Sequence, residues 1–476
     1  MSAIVFPVSS APGAHQQSGA GRLINAYAVK TDQGARSPIR WQRSAGSREL
    51  LDITGHSHCR GFIYVGSTLI VVLDERVYAV TLSGVTFSAT NLGALAGSDK
   101  VTIARNNAAT PNIVLTCDAG TFNLFTDSAP TSFADGDLPS SNSCTSLNGY
   151  IIFSTGSGEI WSTGLNGVTV ASDADTNAQI KPDGLRRVVA FRGELFAMGD
   201  DSIQVYEETG DDPFPLRYKK ITIPRGICGT HAVAGWEDGW ANELIWAGED
   251  NIVYKLDGYA AAPISNEAVT RAIAGAADRT LIEASVYMEG PYAIWSLTSP
   301  DEWTWEYNVT TGNWHERESG ERDDTRARCS VKAFNRWVVG DATTGKLASK
   351  DVNYRKEYND ALIWQVESGD NAHFPYPITI PSAMFDFAAA VGNAAGEDPI
   401  ETDPVVMISW SRDGGYRWEN ELRRALGAQG ESGRLVRVNC ATTTKSKGIR
   451  FRLRVSDPVF VGFMGGEMPD VAARAA

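Results

Sequence analysis

The chain has 476 residues, 43% apolar and 21% charged, with a formal net charge of −14 at pH 7. That length suffices for two or three domains, and the apolar share excludes a chain that stays unfolded for want of a core. The acidic balance excludes an outer surface built to grip nucleic acid, which needs surplus Lys and Arg, while 46 Gly and 13 Trp fit a turn-rich all-β protein.

Residues 1–55 are rich in Gly, Ser, Ala and Gln, with short apolar pieces at Ile4-Val-Phe and Leu23-Ile-Asn-Ala-Tyr-Ala-Val. A segment with so little to bury is expected as an arm whose strands are completed by the C-terminal domain or by a neighbouring subunit. The start, Met-Ser-Ala-Ile-Val-Phe-Pro, has no signal-peptide pattern, and Cys59, Cys117, Cys144, Cys228, Cys329 and Cys440 show no C-x-x-C spacing. They are expected as buried free thiols of a protein made in a reducing cytoplasm. The longest aliphatic run, residues 69–73, is far too short for a membrane span.

Residues 56–350 carry a repeat, clearest at 188–206. Three runs rich in β-branched and aromatic residues are separated there by Arg192-Gly193 and Asp200-Asp201, the pattern of an antiparallel meander. Residues 62–80 repeat it around Gly66-Ser67 and Asp74-Glu75, with further copies at 101–125, 147–161, 243–256, 286–314 and 331–347. First turns at Gly66, Asn107, Asn148, Arg192, Asp238, Glu289 and Asn335 give a period of roughly 40 to 50 residues, the size of a propeller blade. The expected fold is all-β: a six- or seven-bladed β-propeller. One helix interrupts it, capped by Ser265, with Glu267 in its first turn and Val269, Ala272 and Ile273 on one face.

Residues 351–476 change character and are expected as a C-terminal β-sandwich-like domain with a frayed end. Pro375, Pro377 and Pro381 restrict their stretch to an edge or connection. In Arg450-Phe-Arg-Leu-Arg-Val, arginines alternate with apolar residues, so Arg450, Arg452 and Arg454 form a basic strip, a candidate inter-subunit contact.

Few constellations suggest chemistry. Ser411, Asp413, Gly415 and Trp418 match S-x-D-x-G-x-x-W, the Asp-box of sialidases and other sugar-handling β-proteins, read here as a structural turn. A sialidase-like hydrolase or sugar-binding propeller is the alternative reading; Arg186-Arg187 and Tyr206-Glu207-Glu208 would have to serve it, and the usual Phe-Arg-Ile-Pro motif is missing. His56-Ser-His58-Cys59 is the one tight metal-capable group and lacks the further ligands zinc needs. No phosphate-binding Gly loop is present, so neither metal nor cofactor is expected. Trp295, Trp303, Trp305 and Trp314 are expected in the core between blades. The acidic turns at Asp200, Asp201, Asp211 and Asp212 are candidate channel residues, able to keep DNA from sticking if they gather on one mouth of a ring.

The chain resembles the tail hub or nozzle proteins of short-tailed bacteriophages, the packaged DNA stabilization family. The resemblance is carried by Asn25-Ala-Tyr-Ala, by Pro182-Asp183-Gly184 leading into Ile203-Gln-Val-Tyr-Glu-Glu-Thr-Gly, and by Ser409-Trp-Ser-Arg-Asp-Gly-Gly-Tyr with Gly448-Ile-Arg-Phe-Arg-Leu-Arg-Val. It departs at Ser44-Ala-Gly-Ser-Arg-Glu-Leu-Leu, where the family has a Pro-Gly-Leu-like turn. It implies a non-enzymatic virion protein that forms a ring of six beneath the portal and adaptor. Such a ring extends the DNA conduit without sequence-specific binding, retains the packaged genome and docks spikes or fibres.

Overall fold

The computed structural model describes residues 2–469 except 134, 179, 180, 182, 374, 441 and 445–447. Pro182 of the family motif and the end expected to fray, 470–476, lie outside the described residues. Five consecutive four-stranded antiparallel meanders span 59–94, 102–132, 141–177, 185–223 and 233–263. A sixth, 283–316, and three strands at 327–351 complete the series. The seventh sheet takes its fourth strand from the arm: Gly46–Asp52 lies antiparallel on Lys346–Asp351. The first strand of every sheet contributes to one axial cavity, through Phe62, Ile103, Thr145, Ala190, Val233, Ser285 and Val331. The fold is therefore a β-propeller of seven blades. The repeats at 56–350 lacked the closing strand, which lies in the segment where the family motif is interrupted.

The ring follows from strands that are apolar on both faces. Along Thr68–Leu73, Leu69, Val71 and Leu73 pack with Val338 and Leu347 of the last blade, while Ile70 and Val72 pack with Ile113 and Leu115 of the next. Along Glu194–Gly199, Leu195 and Ala197 turn to blade three and Phe196 and Met198 to blade five. A strand of period two with no polar face must be covered on both sides, and a closed ring does this for every blade at once. The expected first turns all lie where the first two strands of a blade meet. At Asn148-Gly149 and Arg192-Gly193 both residues have positive φ, as a two-residue hairpin requires. All six cysteines are buried and free.

Helix α1, Glu267–Gly275, sits between blades five and six with Ala268, Val269 and Ile273 in the core. Its cap is Asn266, whose side chain accepts from the Val269 amide at 3.0 Å. Ser265, expected in that role, instead accepts from the Val253 amide at 3.1 Å and so ties the helix to blade five.

The segment beyond 351 and strands of the arm form two sheets that share one apolar core. One holds Ala26–Lys30, Ile39–Arg43, Gly462–Met468, Ala383–Phe387 and Val436–Val438, with Ser2–Ile4 added on Gly462–Met468. The other holds Trp364–Glu367, Arg450–Val455, Val405–Ser411 and Leu422–Ala425. Trp41, Phe385 and Phe463 of the first meet Trp364, Ile408 and Phe451 of the second. Among the described residues, the proline-rich stretch holds a two-residue strand, Thr379–Ile380, paired with Thr442–Thr443.

Candidate functional site

The arm makes one body of two lobes. Leu23–Ile24 lies parallel to Asn313–Glu316 at the outer edge of blade six and antiparallel to Trp364–Glu367. Blade six, the arm and the C-terminal lobe thereby form one nine-stranded sheet. Asn25, at φ 50°, fixes the junction: its amide nitrogen donates to the carbonyls of Glu318 at 3.0 Å and Ile363 at 2.9 Å, and its oxygen accepts from the Glu318 amide at 3.1 Å. Asparagine tolerates that left-handed conformation better than a branched residue would. Arg22 pairs with Glu316, and the Leu23 amide donates to Ser10 Oγ at 3.1 Å. Further along, buried Arg43 donates to the carbonyls of Asp457 at 2.8 Å and Val455 at 2.7 Å. Burial, with Arg355 nearby, lowers its guanidinium to about 9.

Behind this junction lies a buried charge network between blades six and seven. Arg317 pairs with Glu357 at 3.0 Å, and Ser319 Oγ donates to the same carboxylate at 2.6 Å. Glu306 accepts from Tyr287 Oη at 2.8 Å and meets His315 Nε2 at 2.9 Å. Arg328 spans Asp324 at 2.7 Å and Glu283 at 2.8 Å, and Lys100 of blade two closes on Glu283. Burial opposes the charge on Glu283 and Glu306, but Lys100 and Arg328 on one, and His315 and Arg317 on the other, hold both carboxyls down at about 2. Such networks specify one arrangement of the elements that meet in them, because breaking a pair leaves a charge out of water. Sequence reasoning missed this network. A usable signal existed: Glu306 and His315 sit inside adjacent strands of a blade covered on both faces, where a charge must have a partner.

The residues singled out by sequence do not converge. The Asp-box is a built turn: Ser411 Oγ accepts from the Gly415 amide at 2.8 Å, and Asp413 accepts from the Arg417 amide at 3.0 Å. Gly414 and Gly415 have φ of 80° and 99°. Trp418 is half-buried beneath the Arg452 guanidinium, 3.9 Å from its ring centre, and Gln17 of the arm donates to the Asp413 carbonyl at 2.9 Å. In the basic strip, Arg450 pairs with Asp370 at 2.7 Å, Arg452 with Glu367 at 2.7 Å and Arg454 with Glu421 at 3.0 Å. These carboxylates belong to the same chain, so each arginine of the strip has an ion-pair partner within the C-terminal lobe.

Of the acidic residues, Asp200 and Asp201 turn between the second and third strands of blade four, and Asp211 and Asp212 between its third and fourth. Successive hairpin turns lie at opposite ends of a blade, so the two pairs do not share one mouth, and neither lines the axial cavity. Asp200 is paired with Arg186, while Asp201, Asp211 and Asp212 are exposed. The sialidase arrangement is not assembled: Tyr206 is buried with its hydroxyl on Gln204 at 3.2 Å, and Glu207 pairs with Arg217 at 2.7 Å. Trp295, Trp305 and Trp314 are core residues, with Trp303 packed at their margin.

His56 and His58 both bind Asp74, at 3.1 and 2.8 Å. Burial works against the Asp74 charge, yet the hydroxyl and amide of Ser57, with His56, hold its carboxyl below the usual range and lock the turn into blade one. Among the described residues no three metal-capable side chains converge, and no helix is long and apolar enough to cross a membrane.

Seven blades shut by a strand of the arm and joined through the same arm to a second lobe define a β-propeller with an appended β lobe. The chain belongs to the phage-stabilisation family described as Bacteriophage P22 Gp10, β-propeller, whose model matches residues 23–352, from the bridging strand of the arm to the end of blade seven. It is a structural phage protein of the virion tail, of the kind that stabilises packaged DNA. Among solved structures, the WD40 β-propeller domain of Doa1 aligns at a TM-score of 0.43 and 11% identity, over 64% of this chain and 97% of that one. PorZ, a surface component of the type-IX secretion system of Porphyromonas gingivalis, aligns at 0.37 and 12% identity, over 79% of this chain and 46% of its own. No curated protein sequence matches.

Proposed function

We propose that this chain forms a ring of six in the phage tail, a nozzle or hub beneath the portal and adaptor. The ring lengthens the DNA conduit, holds the packaged genome in and offers its outer surfaces to spikes or fibres. The observation that carries the reading is the nine-stranded sheet that joins blade six, the arm and the C-terminal lobe. A conduit under pressure from packaged DNA must not hinge, and a backbone-bonded sheet crossing from lobe to lobe resists hinging better than two domains on a linker do. The net charge of −14 agrees with a conduit wall to which passing DNA does not stick. Synthesis in the host cytoplasm agrees with six unpaired cysteines.

The test is a virion assembled without this chain. Heads should fill with DNA and then lose it, and adding the purified chain to heads bearing their adaptor should restore retention. Antibody against the chain should label the tail of intact virions in electron micrographs, with sixfold density in averaged images. Retention of DNA without the chain, or label on the head shell, would refute the reading.

A further inference from the structure

The axial cavity holds about 470 Å³, room for on the order of fifteen waters and far too little for a DNA duplex. Its charge runs against that of the whole chain: with Lys100 paired to Glu283, Arg105, Arg187 and Lys332 line it against Glu237 and Asp238. Arg187 is central to the cluster. It is only 9% exposed and lies over the Trp236 ring at 5.0 Å. Its Nη1 donates to the Thr230 carbonyl at 2.8 Å and to His231 Nδ1 at 3.2 Å, while its Nε, buried, has no hydrogen-bond partner. Glu237 is the carboxylate whose field reaches it, and that group already accepts from the Gly235 amide at 2.7 Å. A buried guanidinium facing a cavity without a counter-ion of its own is costly unless an anion enters. Burial accordingly lowers Arg187 to about 10, and burial together with Arg187 and Lys100 keeps His231 well below its usual range, so its ring stays neutral and accepts from Arg187.

The geometry points to a binding site in the propeller axis for a small polyvalent anion of the phosphate class, held by Arg187 with Arg105 and Lys332 adding charge, while Lys100 stays paired with Glu283. Planar guanidinium and ammonium groups around a shared cavity suit a tetrahedral oxyanion, which can accept from several donors at once. The donors come from different parts of the ring: Arg105 ends the first strand of blade two, Arg187 is in blade four and Lys332 in blade seven. The site therefore exists only when the ring is closed, and its occupant would pin the blades from inside.

Inorganic phosphate and adenosine monophosphate are titrated into the full chain at pH 7.5, against sodium chloride of equal ionic strength. ³¹P line broadening reports binding and thermal unfolding reports its linkage to the fold. Saturable broadening is expected, with a rise in melting temperature on the order of 1–2 °C beyond the chloride control. Tighter binding of the nucleotide assigns the site to a phosphoryl group on a larger molecule, and tighter binding of phosphate assigns it to the free ion. Arg187→Gln should weaken binding roughly tenfold or more. Lys332→Gln, at an exposed position, should weaken it several-fold without changing the melting temperature in chloride. No broadening beyond the control overturns the proposal, as does undiminished binding in both variants; if Arg187→Gln does not fold, Lys332→Gln decides.

Discussion

Replacing Gly46 by alanine should open the propeller at its seam. Gly46 begins the closing strand, pairs with Asp351 and donates its amide to the Tyr354 carbonyl at 2.9 Å. A Cβ on Gly46 would stand 2.1 Å from the Tyr354 oxygen and 2.3 Å from the Lys356 oxygen. Both are backbone atoms that cannot swing away, so the strand must retreat by more than 1 Å to bring 2.1 Å to an ordinary contact of 3.4 Å. The retreat forfeits the Gly46 hydrogen bond, about 1 kcal/mol, and adds overpacking strain of about 1–3 kcal/mol, roughly 2–4 kcal/mol together. That corresponds to a rise of roughly 30- to 1,000-fold in the local opening equilibrium. Hydrogen exchange read by mass spectrometry should show this acceleration in peptides covering 46–52 and 346–351 while blade three, across the ring, keeps its protection. Gly136→Ala is the control, since nothing lies within 4 Å of its added Cβ. Equal protection of the seam in Gly46→Ala and wild type, or equal losses in Gly46→Ala and Gly136→Ala, would refute the account of closure.

Three further outcomes are expected. Arg317→Met should cost about 3–5 kcal/mol in urea unfolding because Glu357 is left charged and buried, and the double variant with Glu357→Gln should regain more than half of it. Glu283, held at about 2 in the fold against 4.5 ordinarily, contributes stability that is complete above about 4.5 and lost as pH falls toward 2. The urea midpoint should therefore fall through that window, less steeply in Glu283→Gln; equal slopes would exclude the group as a cause. Asn266→Ala should lower stability by about 1–2 kcal/mol through loss of the α1 cap, with the helix signal in circular dichroism falling more than in Ser265→Ala, and the reverse order would restore the cap to Ser265.

What was legible in the sequence is what neighbouring residues decide together. The hairpin at Arg192-Gly193 needs two residues of positive φ and two flanking strands, all within about fifteen positions, and the same local rule holds at Asn148-Gly149, while blades two and five make their first turn by longer loops. Fourth strands escaped because their contents are not apolar: Val170–Asn177 and Thr86–Ala94 face solvent along much of their length and give no alternation to read. The helix was legible, but its cap was not, because Ser265 and Asn266 are both competent and only the backbone path selects between them.

The sequence by itself determined a meander of blade size and its sevenfold recurrence, since turn chemistry and period-two burial are satisfied within each repeat. Only the tertiary structure decided where the arm goes, which carboxylate neutralises Arg450, Arg452 or Arg454, and that Glu306 and His315 are partners. The seam joins Ser47 to Glu357 across 310 residues of chain. No local preference encodes a pairing at that distance; it is selected because Gly46–Asp52 fills the one vacant edge of the last blade, and leaving that edge open would expose its backbone hydrogen-bonding groups and the apolar residues beside it.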